Sequence, residues 1–148
     1  MPNPNHYDVI IIGGGIGGLM TAYRLTEKAP SLRVCLLERG DPLARRKCPI
    51  ITKQTVRCVR CPTCAIMEGM GGAGAFSDGK YVISTEYGGW LTEFLPPETV
   101  IDYIEQADSI LVSFGATTER YLPDNELKKL CLGKDLHMSQ AQLKHLGT

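Results

Sequence analysis

Three glycines and one acid have the spacing in this sequence that is most informative about chemistry. Gly13, Gly15 and Gly18 lie within six residues, and Glu38 follows the last of them by twenty positions. In such a turn the first glycine permits a tight exit, the second leaves the backbone bare, and the third allows close packing of a helix. N–H groups at the helix start would face phosphates. The spacing predicts a dinucleotide site, with Glu38 accepting hydrogen bonds from ribose hydroxyls and disfavouring a 2′-phosphate.

A second set of reactive residues is the cysteine pattern C-x9-C-x2-C-x2-C, formed by Cys48, Cys58, Cys61 and Cys64. Four thiolates would complete a tetrahedral zinc or iron–sulfur set. Alternatively, Cys61 and Cys64 would form a C-x-x-C redox pair facing a flavin. A third interpretation is that all four are unliganded thiols in a folded loop. A second C-x2-C pair at zinc-ribbon spacing is missing from the sequence.

The elements that would position these residues follow from the apolar pattern. Residues 7–12 and 34–38 are predicted to be strands, joined by a helix over 15–29 with apolar residues at helical spacing. Their continuous apolar character is typical of parallel strands covered on both faces. A second glycine-rich loop spans 67–80. Beyond it the pattern predicts a strand at 81–84, a helix from 97 to 114, a helix over 124–133 with Asp124 as its N-cap, and a strand within 136–148.

Bulk composition limits the classes of protein and of partner. The chain has 148 residues, about one ordinary domain, with 16 Lys and Arg balanced by 16 Asp and Glu. A neutral balance gives no support for a nucleic-acid partner or an anionic membrane. The apolar stretch at 9–20 is broken by glycines and is too short to span a bilayer. We therefore expect a cytoplasmic protein, in which clustered cysteines indicate metal or redox chemistry more than disulfides.

Several segments together resemble one known family. They are DVIIIGGGIGG at 8–18, LLERG at 36–40, KCPI at 47–50, CPTCAI at 61–66, GGAGAFSDGK at 71–80, Gly88-Gly89 and HLGT at 145–148. In these segments the chain resembles the N-terminal part of an uncharacterised family of bacterial FAD-dependent dehydrogenases. That family belongs to the flavoproteins with a glutathione-reductase-type Rossmann domain. The resemblance implies an FAD domain interrupted by an inserted substrate or cap domain, in proteins about three times as long.

The resemblance also assigns roles to matched positions. Ile16 and Gly17 would present N–H groups to the pyrophosphate, Glu38 would bind the ribose, and the loop containing Gly72 and Ala73 would run beside the pyrophosphate or the flavin ring. Basic residues after the second strand would reach the adenine, ribose or pyrophosphate, or simply be solvated. The candidate cofactor-binding residues are Gly13, Gly15, Ile16, Gly17, Gly18, Glu38, Arg39, Arg46, Lys47, Gly72 and Ala73. No catalytic base is assignable.

The fold expected is therefore α/β: the N-terminal part of a three-layer Rossmann-like FAD/NAD(P)-binding domain, followed by the start of an inserted, mainly helical or α+β segment. We expect an incomplete FAD-binding segment at 1–95 and a truncated inserted domain from 96 to 148. The predicted function is that of an FAD-dependent oxidoreductase, with NAD(P) as a possible electron partner. Alternatives are a flavin-linked thiol–disulfide oxidoreductase using Cys61 and Cys64, and a non-enzymatic cysteine–metal module binding zinc or an iron–sulfur cluster. As a fragment, the chain is expected to retain FAD weakly or not at all and to be inactive alone.

Overall fold

The protein is described by a computed structural model over residues 6–122, 124–136 and 141–145. Its strands and helices are β1 (Val9–Ile12), α1 (Ile16–Lys28), β2 (Val34–Leu37), β3 (Lys80–Ile83), α2 (Pro97–Ser113), α3 (Asn125–Leu132) and β4 (Gln142–His145). Three short 3₁₀ helices span Leu43–Arg45, Gly72–Phe76 and Leu91–Glu93. Of the segments that carry the resemblance, residues 146–148 lie outside the described ranges.

The chain divides into two compact units, Met1–Ser77 and Asp78–Thr148. Residues 78–95, which the sequence placed with the FAD-binding segment, lie in the second unit. The assignment of a cofactor role to 1–95 and of an inserted domain to 96–148 stays a prediction.

The first unit is built on a βαβ unit. β1 and β2 are parallel, with Val9 opposite Val34 and Ile12 opposite Leu37, and α1 connects them. The Asp8 carboxylate accepts a hydrogen bond from the Arg33 N–H at 2.7 Å and ties the starts of the two strands together. The strand–helix–strand order agrees with the prediction, and its boundaries differ from the predicted ones by two residues at most.

The two faces of this sheet differ in how far their side chains are buried. Ile11 is 8% exposed, whereas its neighbours Ile10 and Ile12 are 57% and 88% exposed. Side chains alternate across a strand, so α1 can shield only one set. Among its described residues the unit has no second α-helix. Cover on both faces, expected from the apolar run, is therefore absent in the described part of the unit, and the three-layer arrangement stays a prediction.

The second unit pairs β3 with β4 in antiparallel fashion, with Tyr81 opposite Lys144. α2 packs on β3, and Ile83 and Val100 are each only 4% exposed. The predicted helix over 97–114 and the predicted strand at 81–84 are each present within one residue of the expected bounds. Asp124 caps α3 as predicted, because its carboxylate accepts from the N–H groups of residues 126 and 127.

A buried group of charges holds β4 to α2 in this unit. The Lys144 ammonium lies 2.7 and 2.8 Å from the two carboxylate oxygens of Asp108, and the two residues are 1% and 5% exposed. The Tyr81 hydroxyl donates to the same carboxylate at 2.6 Å. Arg120 contacts Asp108 at 3.2 Å and pairs with Glu105. The charges are mutually satisfied, which is the condition under which buried ions are tolerated.

Within the described ranges, no helix combines the length and apolar character needed to cross a membrane.

Candidate nucleotide-binding site

The first glycine turn joins β1 to α1 at the carboxyl end of the parallel strands. Gly13 has φ +101°, a conformation that favours glycine, and its N–H donates to the Leu37 carbonyl at 2.7 Å. A Cβ on Gly18 would lie 1.9 Å from the Gly13 carbonyl oxygen. Gly18 therefore lets the helix approach the turn, as the spacing predicted. By contrast, a Cβ on Gly15 or Gly17 would meet nothing within 4 Å.

The N-terminus of α1 is open to an anion. Its N-cap is Gly15, no side chain caps the helix, and its first turn contains no acidic residue. The first N–H groups of a helix have no intrahelical acceptor, and the helix dipole adds a partial positive charge there. Ile16 and Gly17 belong to this first turn, so their amides lie at the helix start; their contact with a pyrophosphate stays a prediction.

Glu38 follows β2 and connects three backbone segments. Its Oε2 accepts from the Gly14 N–H at 2.6 Å, and its Oε1 accepts from the N–H groups of Gly40 at 2.8 Å and Gly69 at 3.0 Å. The Gly14 hydrogen bond, followed by that of Gly40, lowers the pKa of the Glu38 carboxyl below its ordinary value. Glu38 is therefore ionised at neutral pH. The hydrogen bonds of the Gly69 and Arg39 N–H groups lower this pKa further, so four backbone amides act on the carboxylate.

The second glycine loop packs directly on the first. The Gly71 N–H donates to the Gly14 carbonyl at 2.9 Å, and a Cβ on Gly72 would lie 3.1 Å from the Gly15 Cα. Gly40 and Gly69 are also in backbone contact, since a Cβ on Gly40 would lie 2.4 Å from the Gly69 nitrogen. The bare backbone of this loop thus serves backbone-to-backbone packing.

Arg46 organises the second glycine loop from within the protein. Its side chain is buried, and its guanidinium donates to four carbonyls at 2.7 to 2.9 Å. The acceptors are the carbonyls of Ala65, Ile66, Met70 and Gly72. The guanidinium also lies 4.7 Å from the Phe76 ring centroid. The sequence predicted a contact between this basic residue and the cofactor; the structure instead directs its donors to the chain.

These segments surround a groove of about 290 Å³. It is lined by Ile12, Gly13, Gly15, Leu37, Glu38, Arg39, Met67, Glu68, Gly69 and Gly72. Gly13, Gly15, Glu38, Arg39 and Gly72 are thus brought together as predicted cofactor residues. The other predicted cofactor residues do not line the groove: Ile16, Gly17, Gly18, Arg46, Lys47 and Ala73. Of these, Lys47 and Ala73 are exposed.

Glu68 is a groove residue that sequence reasoning missed. The Arg39 Nε lies 2.6 Å from its Oε2, and Arg39 lowers the pKa of the Glu68 carboxyl. The groove therefore has two carboxylates, of Glu38 and Glu68, and one guanidinium on its wall. A second acid thirty residues after Glu38 has no motif of its own, so only the fold could reveal it.

The four predicted cysteine ligands line a separate cavity of about 70 Å³ in the same unit, together with Pro49, Ile50, Val59, Arg60 and Ala65. All four thiols are free. As they stand, the described residues contain no group of three or more His, Cys, Asp or Glu side chains that could hold a metal ion. The structure thus brings the four residues to one cavity without forming a coordination site. The redox pairing of Cys61 with Cys64 stays a prediction.

The first unit has the geometry of a dinucleotide-binding unit. It combines a parallel βαβ unit, a glycine turn, an open helix N-terminus and an acidic residue after the second strand. Comparison with known proteins agrees. Residues 8–47 match the family described as FAD dependent oxidoreductase (DAO). Over these residues the chain is thus similar to FAD-dependent oxidoreductases, as the resemblance implied. The narrower likeness to one uncharacterised bacterial family stays a prediction.

Two curated relatives match this same part of the chain. The mitochondrial L-2-hydroxyglutarate dehydrogenase of Nematostella vectensis is 51% identical over 39 residues, which are 26% of this chain and 9% of that protein. The L-2-hydroxyglutarate dehydrogenase of Indibacter alkaliphilus is 42% identical over 41 residues, which are 28% of this chain and 10% of that protein. The match thus spans about a tenth of the length of these relatives. No solved structure matches the chain.

Proposed function

We propose that this chain supplies the part of an FAD-dependent oxidoreductase that binds the adenosine diphosphate half of FAD. The observation that carries the proposal is the groove in which bare glycine backbone, the open start of α1 and the Glu38 carboxylate meet. The match of residues 8–47 to FAD dependent oxidoreductases supports FAD as the dinucleotide.

The residues present fit such a ligand. Gly15 lines the groove, and a Cβ on Gly15 or Gly17 would meet nothing within 4 Å, so a pyrophosphate would be able to lie close to this bare backbone. The amides of Ile16 and Gly17 would donate to its oxygens. A ribose hydroxyl would donate to Glu38 and share its oxygens with the backbone amides that keep the two glycine loops in place.

The basic residues after β2 would have different roles in cofactor binding. Arg39, held by Glu68 at the groove wall, would contact the nucleotide, whereas Arg46 would act through the loop that it organises. Lys47 and Ala73 do not line the groove, so they would contact only a part of the cofactor that extends out of the groove. When bound, FAD supplies the redox chemistry, and the protein supplies binding, orientation and electrostatics. NAD(P) as electron partner, a cytoplasmic location and the absence of nucleic-acid and membrane partners are parts of the same proposal.

The test is a binding measurement with the whole chain and two glycine variants. Gly15→Ala adds a methyl group at a residue that lines the groove. Gly133→Ala is its control, because Gly133 ends α3 at φ −66° and its Cβ would come no closer than 3.4 Å to another atom. Quenching of flavin fluorescence on titration with protein would report FAD binding, and ADP would compete. We expect Gly15→Ala to weaken binding by about tenfold or more, which is about 1.4 kcal/mol, and Gly133→Ala to leave it unchanged.

Two outcomes would reject the proposal. One is that FAD at concentrations up to the millimolar range gives no quenching with the unaltered chain. The other is that both alanine variants bind FAD as the unaltered chain does, since the ligand would then lie elsewhere.

A further inference from the structure

We propose that Cys48, Cys58, Cys61 and Cys64 bind one zinc ion as a tetrathiolate that cross-links the loop between residues 46 and 71. This site is distinct from the nucleotide groove and its function is structural. The inference starts from the cavity of about 70 Å³ that all four thiols line.

The chemistry of this cavity suits a thiophilic cation. Its other lining residues are Pro49, Ile50, Val59, Ala65 and Arg60, so no carboxylate or imidazole competes with sulfur. A set of four cysteine thiolates is a common arrangement in structural zinc sites, with zinc–sulfur distances of about 2.3 Å. A cavity of this size suits one ion better than a four-iron cluster with its bridging sulfides.

The charge of the loop provides a second, independent argument. Between residues 42 and 67 the sequence has six basic residues and no Asp or Glu. Four thiolates and one zinc ion carry a net charge of about −2. A segment with excess positive charge and no acid stabilises such a centre, whereas it would repel a bare cation held by neutral ligands.

The architecture of the loop provides the third argument. Residues 46–71 contain no helix or strand, although loops longer than about 15 residues rarely lack both. Val56, Val59 and Ile51 are more than half exposed, so the loop has little apolar burial to stabilise it. Small segments without a sufficient core are commonly stabilised by a metal or a disulfide.

Local turns follow Cys48 and Cys64, and another lies between Cys58 and Cys61. The Cys48 carbonyl accepts from the Thr52 N–H at 2.9 Å, and the Cys64 carbonyl accepts from the Glu68 N–H at 2.8 Å. Arg60 has φ +52°, which turns the chain between Cys58 and Cys61. Because the thiols line one cavity but do not converge, zinc binding requires them to close around the ion, and each loses its proton to do so.

The experiment measures zinc and cobalt binding by the reduced whole chain. Native mass spectrometry of protein treated with chelator and then given zinc should show one ion per chain. Co²⁺ in place of zinc should give the visible bands of tetrahedral cobalt and an intense ultraviolet sulfur-to-cobalt band. Cys48→Ser and Cys64→Ser should each weaken zinc binding more than about tenfold. Cys35→Ser and Cys131→Ser remove the two cysteines outside the cavity and should change nothing.

The cobalt spectrum of the unaltered chain keeps the test decisive where a serine variant fails to fold. Four results would overturn the proposal: the reduced chain binds no zinc, cobalt shows an octahedral spectrum without the sulfur band, the control variants lose zinc as the cavity variants do, or the protein purified without oxygen has iron–sulfur absorbance. A disulfide between any two of the four that persists under cytosolic reducing conditions would also overturn it, in favour of redox chemistry. FAD binding enters none of these readouts.

Discussion

Adjacent glycines in the first turn of α1 should respond oppositely to alanine. A Cβ on Gly18 would lie 1.9 Å from the Gly13 carbonyl oxygen and 3.3 Å from the Ile11 Cγ2. To reach even 3.0 Å from that oxygen, the helix start or the turn must move by roughly 1.1 Å, because the obstacle is backbone and has no rotamer to change. Gly17 is also in the first turn, but its Cβ would meet nothing within 4 Å.

The expected magnitudes follow from these two environments. Overpacking costs about 1–3 kcal/mol, and a backbone obstacle places Gly18→Ala near the upper value. Alanine in a helix is worth about 0.5–1 kcal/mol over glycine, which reduces the net loss at Gly18 to about 2 kcal/mol. Gly17→Ala meets no obstacle and gains only the higher helix propensity of alanine, so it should stabilise the chain by up to about 1 kcal/mol.

Urea unfolding of both variants, followed by circular dichroism, measures this difference of about 3 kcal/mol in the free energy of unfolding. Gly18→Ala should also lose affinity for FAD, because the displaced turn carries the amides at the start of α1. Equal stability of the two variants would refute the close approach of α1 to the turn. A Gly17→Ala variant that is the less stable of the two would refute the geometry of the whole turn.

Three further predictions concern the buried charges. Arg46→Met should destabilise the first unit by about 3 kcal/mol in urea unfolding, because four carbonyls lose a charged donor. Arg45→Met is the control: the Arg45 side chain is 71% exposed, so its loss should cost less than about 0.5 kcal/mol. Lys144→Met should lower the free energy of unfolding by about 3 kcal/mol. This is the lower end of the range for a broken buried ion pair, because Arg120 still contacts Asp108. Faster hydrogen exchange in α2 is the readout. Burial raises the pKa of Asp108, but the hydrogen bonds from Lys144 and Tyr81 and the charges of Lys144 and Arg120 together outweigh burial, and the pKa is lowered. The stabilisation is therefore complete above about pH 4 and is lost as the pH falls through the folded-state pKa. Asp108→Asn should flatten that loss in urea titrations.

The sequence predicted the helices and strands because their bounds depend on interactions between residues that are close in sequence. The bounds of α1 and α2 follow from apolar spacing and from Gly15 and Pro97 at their starts, which act within one turn of the chain. The cap at Asp124 is a contact between residues two and three positions apart. The glycine turn was predictable for the same reason, since a positive φ at Gly13 and a close approach at Gly18 depend on a few neighbouring residues.

The rest of the site depends on segments that are distant in sequence. The pairing of Glu38 with Gly69 spans 31 residues, and that of Lys144 with Asp108 spans 36. No periodicity or motif encodes such a pairing, because it is set by which loops pack together. The sequence leaves Arg46 either in contact with the cofactor or solvated. Its observed contacts with the carbonyls of Ala65, Ile66, Met70 and Gly72 arise from loop packing that no local pattern encodes.

Glu38 and Arg46 together explain how the second glycine loop, which has no α-helix and only one short 3₁₀ helix, can hold a defined backbone at the groove. Buried N–H and carbonyl groups must be paired, and the usual partners are other backbone groups in helices and sheets. Here one carboxylate accepts from amides of both glycine loops, and one guanidinium donates to two carbonyls of the second loop and to two just before it. Two side chains of opposite charge therefore replace a hydrogen-bonded ladder, and hydrogen bonds to charged groups are stronger than those between neutral groups. Because Glu38 is also the residue proposed to bind the ribose, ligand binding and the position of the second loop are coupled through a single carboxylate.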